Sequence, residues 1–223
     1  EEFQPGRAVG VVGQAALHRV DVGAVGLSDY GKPGNYFARQ ISRWSEQYRA
    51  SQTRKIPAMD ALIDKLDARC PADDGVIALT HGDYRIDNVI FDPVEPRIRA
   101  VIDWELCTLG HPLADFAYHC MVWRIPPGIF RGLSGIDPPS LGIPSEREYV
   151  GTHCRRTARD GIAARDWEYY MAYNMFRIAA IVQGVMARAL QGNASSAEAM
   201  QTGRAARPLA ELAWSQVERL KLS

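Results

Sequence analysis

The chain has 223 residues, enough for one large domain with its own core. Hydrophobic residues make up 47% and charged residues 23%, and 26 Lys+Arg balance 26 Asp+Glu, so the composition is that of an ordinary globular protein with zero formal net charge. That balance argues against a nucleic-acid partner or an anionic membrane surface, and any phosphate must be met by a local site or a metal. In chain order, about Gly6 to Val20 reads as a helix weakened by its glycines, ending in Leu17-His18-Arg19-Val20-Asp21. A loop with Gly31, Pro33 and Gly34 follows. Residues Tyr36 to Ala50 place Phe37, Ile41, Trp44 and Tyr48 four, three and four apart, which is one apolar helical stripe. Pro57 opens a further helix to Ala68, with Met59, Leu62, Ile63 and Leu66 on its buried face.

The pattern then changes. Val76 to Thr80, Asn88 to Phe91 and Arg97 to Asp103 read as three short strands. Asp92-Pro93-Val94-Glu95-Pro96 is a turn signal, so the last two strands should form a hairpin. The strand-rich patch is expected only between about 76 and 103. Leu113 to Arg124 reads as a helix, and residues 126–144 as a loop with five prolines and four glycines. Ser145-Glu146-Arg147-Glu148 is a capping box that should open a helix. Asp166 is expected to cap a long helix from Trp167 to about Leu190. A last helix should run from about Ser196 to Leu220, kinked at Pro208. The expected architecture is α+β and mainly helical: a single domain with a small antiparallel hairpin that carries polar residues at its ends.

Cys70, Cys107, Cys120 and Cys154 form no CxxC pair and stand at no zinc spacing from the histidines. They read as free thiols of a reducing compartment. Glu1-Glu2-Phe3-Gln4-Pro5 lacks the basic and apolar regions of a signal peptide. No apolar run reaches the roughly 20 residues needed to span a bilayer, since Ile178 to Leu190 is broken by Gln183, Gly184 and Arg188. The expected location is cytoplasmic, with no membrane partner. A homodimer stays open.

The chemistry gathers at the strand ends. His81, Asp83, Asp87 and Asn88 follow the first strand, and Asp103 ends the third. A hairpin turning near Val94-Glu95 brings residue 103 back to residues 87–88. An amide oxygen and a carboxylate beside a second carboxylate suit Mg²⁺, which keeps several waters and fills its shell from phosphates. Phosphoryl transfer asks for one carboxylate to orient the attacking hydroxyl and accept its proton, and for metal ligands at the phosphates. Asp83, Asn88 and Asp103 can supply these functions. The D-x-x-x-x-N spacing from Asp83 to Asn88 matches a kinase catalytic loop.

The residues His81-Gly82-Asp83 with Asn88, then Val101-Ile102-Asp103-Trp104-Glu105, resemble the aminoglycoside phosphotransferase and choline kinase-like superfamily. The longer text from Leu79 to Tyr118, with Gly31-Lys32-Pro33-Gly34-Asn35-Tyr36, Arg39-Gln40 and Trp44, is most similar to one branch: the phosphotransferase-like domain associated with acyl-CoA dehydrogenases. The resemblance covers most of residues 15–190. It implies the C-terminal lobe of a protein-kinase-like fold, Asp83 as catalytic base, and Asn88 and Asp103 as metal ligands. It also implies His81 and Asp115 as braces of the loop, ATP as phosphoryl donor with Mg²⁺, and a small-molecule hydroxyl as acceptor.

The family's nucleotide lobe needs a five-stranded sheet, a phosphate-covering loop and a strand lysine. Lys32, Lys55, Lys65 and Lys221 are the four lysines, and none sits in such a strand. Gly6 to Gly13 has G-x-x-x-G-x-x-G spacing without a preceding strand, so neither known phosphate-loop pattern fits. An N-terminal nucleotide lobe is therefore expected to be absent from this chain, and the chain alone to bind ATP poorly. Arg85 supports the loop and should pair with Asp87. Glu105, Trp44 and Trp123 are secondary candidates for substrate or metal contact, and the loop from Pro126 to Ile143 is a candidate acceptor wall. The plainer reading of Trp44 is a core position, and the plainer reading of His18, His111, His119 and His153 is incidental or core packing. The branch resemblance suggests a hydroxyacyl-CoA or related metabolite. The alternatives are an aminoglycoside or choline-type kinase, a kinase-fold binding or oligomerisation module without catalysis, and a metal phosphohydrolase.

Overall fold

A computed structural model describes residues 9–193 and 198–219. Two of the sequence expectations fall partly outside them, the glycine spacing from Gly6 and the start of the last helix at Ser196. The described part opens with α1 (Val9–Leu17), α2 (Tyr36–Ala50) and α3 (Pro57–Ala68). The α2 stripe is buried as its spacing requires: Phe37, Ile41, Trp44 and Tyr48 all face inward. Pro57 occupies the first turn of α3, where its missing N–H costs nothing, and Met59, Leu62, Ile63 and Leu66 are buried below it.

Four short strands follow, β1 (Ala78–Thr80), β2 (Val89–Phe91), β3 (Ile98–Val101) and β4 (Thr108–Gly110). They form two antiparallel pairs, not one hairpin. β2 pairs with β3, in register Val89 to Val101 and with an irregularity at Ile90/Phe91. β1 pairs with β4, in register Leu79 to Leu109. The expected limit of strand at residue 103 is thus too short. Thr108 to Gly110 carries only three residues between turns, with too little periodicity to register, and β1 supplies the order by pairing.

The chain then enters α4 (Pro112–Cys120), and a single 3₁₀ turn (Met121–Trp123) replaces the last turn of the longer helix expected there. α5 (Glu146–Arg156) carries the complete capping box: Ser145 Oγ accepts from Glu148 N, and the Glu148 carboxylate accepts from Ser145 N at 2.9 Å. Such a cap contributes about 1 kcal/mol. α6 (Ala164–Leu190) starts three residues before the expected Trp167, so Asp166 lies in its first turn and not at its cap. There its charge still complements the helix dipole. α7 (Ala199–Gly203) and α8 (Ala206–Arg219) replace the single kinked final helix. The break precedes Pro208, because a proline is accommodated in the first turn of a new helix and not in an interior.

α6 is the axis of the body. It is buried on nearly every side, from Trp167 through Gln183, and packs against α2, α4, α7 and α8. A helix apolar all round must lie inside a body, and α3 closes that body against α8. The strand pairs sit at one end, where the β1–β2 and β3–β4 connections carry the polar residues. Among the described residues no helix is long and apolar enough to cross a membrane. All four cysteines are free, with Cys120 and Cys154 buried.

Candidate active site

Asp83 is fixed by three side-chain donors. Tyr118 of α4 donates its hydroxyl to Oδ1 through a short bond. Arg85 Nε lies 3.0 Å from Oδ1 and 3.1 Å from Oδ2. Asn88 Nδ2 donates to Oδ2 at 3.1 Å and to the Asp83 carbonyl at 2.9 Å. A carboxylate offers about four lone-pair positions. Three donors therefore leave it oriented, with room for roughly one further proton. Burial and the Asp83 charge both push the Tyr118 phenol well above its ordinary range, so it remains a donor.

The backbone around Asp83 is pinned from below. Gly82 has φ +80°, and a Cβ there would lie 2.5 Å from the Leu106 carbonyl oxygen, so only glycine fits. Asp115, buried in α4, accepts from Gly82 N at 2.8 Å and from His81 N at 3.2 Å. It also accepts from Gln14 Nε2 at 3.1 Å and pairs with His18 Nε2 at 3.0 Å. Burial alone would raise the Asp115 pKa, but His18 first, then Gln14 and Gly82 N, bring it down to about 2.

The histidine tautomers follow from their partners. His81 Nε2 faces the Ile102 carbonyl at 2.9 Å and must donate, which leaves Nδ1 to accept from Asp83 N at 3.2 Å. His81 is fully buried and so acts on the loop as a brace. His18 Nε2 donates to Asp115, and its Nδ1 lies 3.3 Å from His153 Nε2. His153 Nδ1 is buried in the interior without a hydrogen-bond partner. His153 stacks on Phe116 with ring centroids 3.8 Å apart. Burial, then the neighbouring His18, lowers its pKa to about 3.

The β2–β3 ladder returns the chain as the turn signal suggested. Ile102 N donates to Asn88 O at 2.9 Å, and Asp103 is the next residue. Asp103 is exposed, adopts a left-handed backbone (φ 66°, ψ 56°), and makes no hydrogen bond or ion pair among the described residues. Asn88 spends its amide nitrogen on Asp83, and its Oδ1 has no hydrogen-bond partner among them. Asn88 thus adjoins Asp83, and Asp103 follows the residue paired with Asn88. Among the described residues no three His, Cys, Asp or Glu side chains form a metal cage. A cation held here would take few protein ligands and the rest from water and phosphate, which suits Mg²⁺.

Arg85 bridges Asp83 and Asp87, with Nη1 3.4 Å from Asp87 Oδ2, and Arg131 reaches the same carboxylate from the 126–144 loop. Glu105 lies exposed in the 3₁₀ turn after Asp103. Trp123 lines a cleft of about 920 Å³ beside the loop, together with Tyr84, Val122, Phe130, Leu133 and Tyr149. Tyr118 and Arg85, two of the donors to Asp83, also line it. Trp44 does not. It is buried in the body, 6% exposed, with its Nε1 bonded to Gln40 at 3.1 Å. Sequence reasoning missed Tyr118, Arg131 and Arg177, and it passed over His18 and His153. Asp115 and its partner His18 lie 97 residues apart; the family resemblance implies Asp115 as a brace, and nothing local marks His18 as its partner.

Comparison with known proteins places the chain in a family. The profile of the phosphotransferase enzyme family matches residues 11–167. The chain belongs to that family. It is 46% identical over 201 residues to mouse acyl-CoA dehydrogenase family member 10, covering 89% of this chain and 18% of that protein. The match therefore spans under a fifth of that relative's length. A crystal structure from Ralstonia eutropha JMP134, assigned to the aminoglycoside phosphotransferases, shares 48% identity and superposes with a TM-score of 0.88, covering 98% of this chain and 72% of that one. Choline kinase from Cryptosporidium parvum Iowa II superposes with a TM-score of 0.63 at 11% identity, over 100% of this chain and 71% of that one. This last likeness is one of fold alone. The fold is the C-terminal lobe of a kinase-like α+β protein.

Proposed function

We propose that this family member transfers the γ-phosphate of ATP to a hydroxyl of a small apolar metabolite, with Asp83 as the base. The carrying observation is Asp83 itself. Three donors orient it, two of which, Tyr118 and Arg85, line an apolar cleft, and they leave about one lone-pair position for an incoming hydroxyl proton. Asn88 Oδ1 and the Asp103 carboxylate would hold Mg²⁺, which when bound with the nucleotide neutralises phosphate charge and orients the transferred group. Arg85 keeps the base facing the cleft. Tyr84, Trp123, Phe130 and Tyr149 exclude water around the acceptor.

The cleft also bears on the acceptor. Its acidic groups are already paired: Asp87 with Arg85 and Arg131, Asp92 with Arg97 and Arg99, and Glu95 with Arg97. A cationic acceptor such as choline or an aminoglycoside would find little free negative charge there. An acyl group would find aromatic and aliphatic wall. Together with the relatives among acyl-CoA dehydrogenase family proteins, this favours a hydroxyacyl thioester or related hydroxy acid.

The test uses the full-length protein that carries this chain, with radiolabelled ATP, Mg²⁺ and parallel panels of hydroxyacyl-CoAs, aminoglycosides and choline. Label should pass to a hydroxyacyl acceptor, and Asp83→Ala should abolish the transfer. Undiminished transfer in that variant would refute Asp83 as base, and transfer to choline or aminoglycosides alone would refute the acyl acceptor.

A further inference from the structure

Arg177 is a buried cation whose charge the fold leaves unpaired. It lies on α6, 95 positions from Gly82, and is only 7% exposed. Among the described residues no carboxylate forms an ion pair with it. Its Nε is buried with no hydrogen-bond partner. Desolvating a guanidinium without a counter-ion is unfavourable, and a long apolar side chain could fill the same volume without that cost. The residue therefore does something that packing does not require.

Its contacts converge on the base from two directions. Nη2 donates to the Gly82 carbonyl oxygen at 2.6 Å. That carbonyl belongs to the same peptide unit as Asp83 N–H, which donates to His81 Nδ1 at 3.2 Å. The peptide that carries Asp83 is thus held at both ends, by Arg177 on its oxygen and His81 on its nitrogen. A planar peptide gripped at both ends cannot rotate, so the Asp83 N–Cα bond from which the side chain departs is held in place. The guanidinium carbon also lies 4.9 Å from the Tyr118 ring centroid and 5.3 Å from that of Trp44. Arg177 therefore fixes by a cation–π contact the ring whose hydroxyl donates to Asp83. Asp115, with His18 and Gln14 behind it, grips the preceding peptide through Gly82 N.

We infer that Arg177 is a positioning residue for Asp83, holding the Gly82–Asp83 peptide and the Tyr118 ring in the arrangement that phosphoryl transfer uses. The inference rests on the phosphotransfer reading above. It also gives Trp44 an indirect part, as the second aromatic face against the guanidinium.

The test compares Arg177→Met and Arg177→Lys with the parent, using the chain itself without ligand, by amide hydrogen exchange in NMR spectra and by thermal melting. A residue that served only the fold would lose stability everywhere. A positioning residue should leave the Met variant melting within about 3 °C of the parent, while the Asp83 amide exchanges about tenfold faster and amides of the α6–α8 contact do not change. Arg177→Lys, whose ammonium can still meet the Gly82 carbonyl, should restore most of the protection. In phosphotransfer by the full-length protein, kcat of the Met variant should fall at least about tenfold with KM values within about twofold. Parent-like exchange at Asp83 in the Met variant overturns the inference, and so does a rise matched across the helical core. If Arg177→Met does not fold, Arg177→Gln, whose amide is too short to keep both contacts, carries the same comparison, and parent-like exchange at Asp83 in it is equally decisive. Because exchange is read without ATP or acceptor, its result is separate from any failure of the phosphotransfer reading.

Discussion

The two faces of the loop that carries Asp83 are built by opposite rules. On the outer face Asp103, Glu105 and Asp87 are exposed, and Asp103 sits in a left-handed conformation with an unspent carboxylate. On the inner face Asp115, His81, His18 and His153 are buried, and one carboxylate receives four donors. Asp103 and Glu105 keep their lone pairs unspent, while Asp87 is held by Arg85 and Arg131. The inner groups spend theirs on the backbone. A loop that must present unsatisfied oxygens to solvent needs a satisfied network behind it, because a half-satisfied polar interior would let it move.

The sharpest way to break this contrast is Asp115→Ala. It removes the acceptor for Gln14, His18 and two backbone N–H groups in the interior. Leaving such donors buried and unpaired should cost about 3–5 kcal/mol. Chemical denaturation should show it as a fall in midpoint, and phosphotransfer should be lost with it. Asp83→Asn, which keeps an acceptor oxygen for the Tyr118 hydroxyl, should abolish transfer while lowering the midpoint less. Equal destabilisation by the two would erase the distinction between faces.

The next effect is one of pH. The His153 pKa is lowered to about 3 in the folded chain, against about 6.5 when unfolded. Between those values the unfolded state binds the extra proton, so stability rises with pH. The contribution is complete above about 6.5 and is lost as pH falls toward 3. One such proton gives a slope of up to about 1.4 kcal/mol per pH unit. His111 and His119, also held below their ordinary range by burial, add to the same slope. Asp115, depressed to about 2, acts in a lower window, losing its contribution as pH falls from about 4 to 2. Urea midpoints from pH 7 to 5 should therefore fall more steeply in the parent than in His153→Gln. Parallel curves would mean that His153 is not held neutral by this interior.

The two faces also differ in how much of each is legible in the amino-acid sequence. The candidate site is legible because its residues are close in sequence: Asp83, Asn88 and Asp103 lie in and beside one strand-turn-strand segment, and the Asp92 to Pro96 turn returns the chain by simple hairpin geometry. The helices of the body are legible for the same reason, since the Phe37 to Tyr48 stripe carries its own period. The inner face is legible only in part. His81 and Asp115 are implied as braces by the family resemblance, but the residues that join them, His18, His153 and Arg177, come from distant helical regions, and only packing around α6 and α4 brings them to one loop. Each of these three alone looks like an ordinary core residue. The pairing of β1 with β4 is hidden for a related cause, because a three-residue strand has no period of its own.

The smallest effect tests the outer face at its own weak point. Asp103 holds φ 66° and ψ 56°, a conformation costly for any side chain with a Cβ, though least so for Asp and Asn. Its carboxylate has no partner among the described residues that could offset that cost. Glycine would relieve the strain, so Asp103→Gly should raise stability by about 0.5–1 kcal/mol, seen as a higher denaturation midpoint. The same variant should lose Mg²⁺-dependent transfer, because the carboxylate proposed to meet the metal is gone. Asp103→Asn keeps the backbone preference and should leave the midpoint unchanged while weakening the response to Mg²⁺. A loss of stability in the glycine variant would mean that the carboxylate serves the fold. Asp103 would then belong with the inner network, and the line between the two faces would have to be redrawn through it.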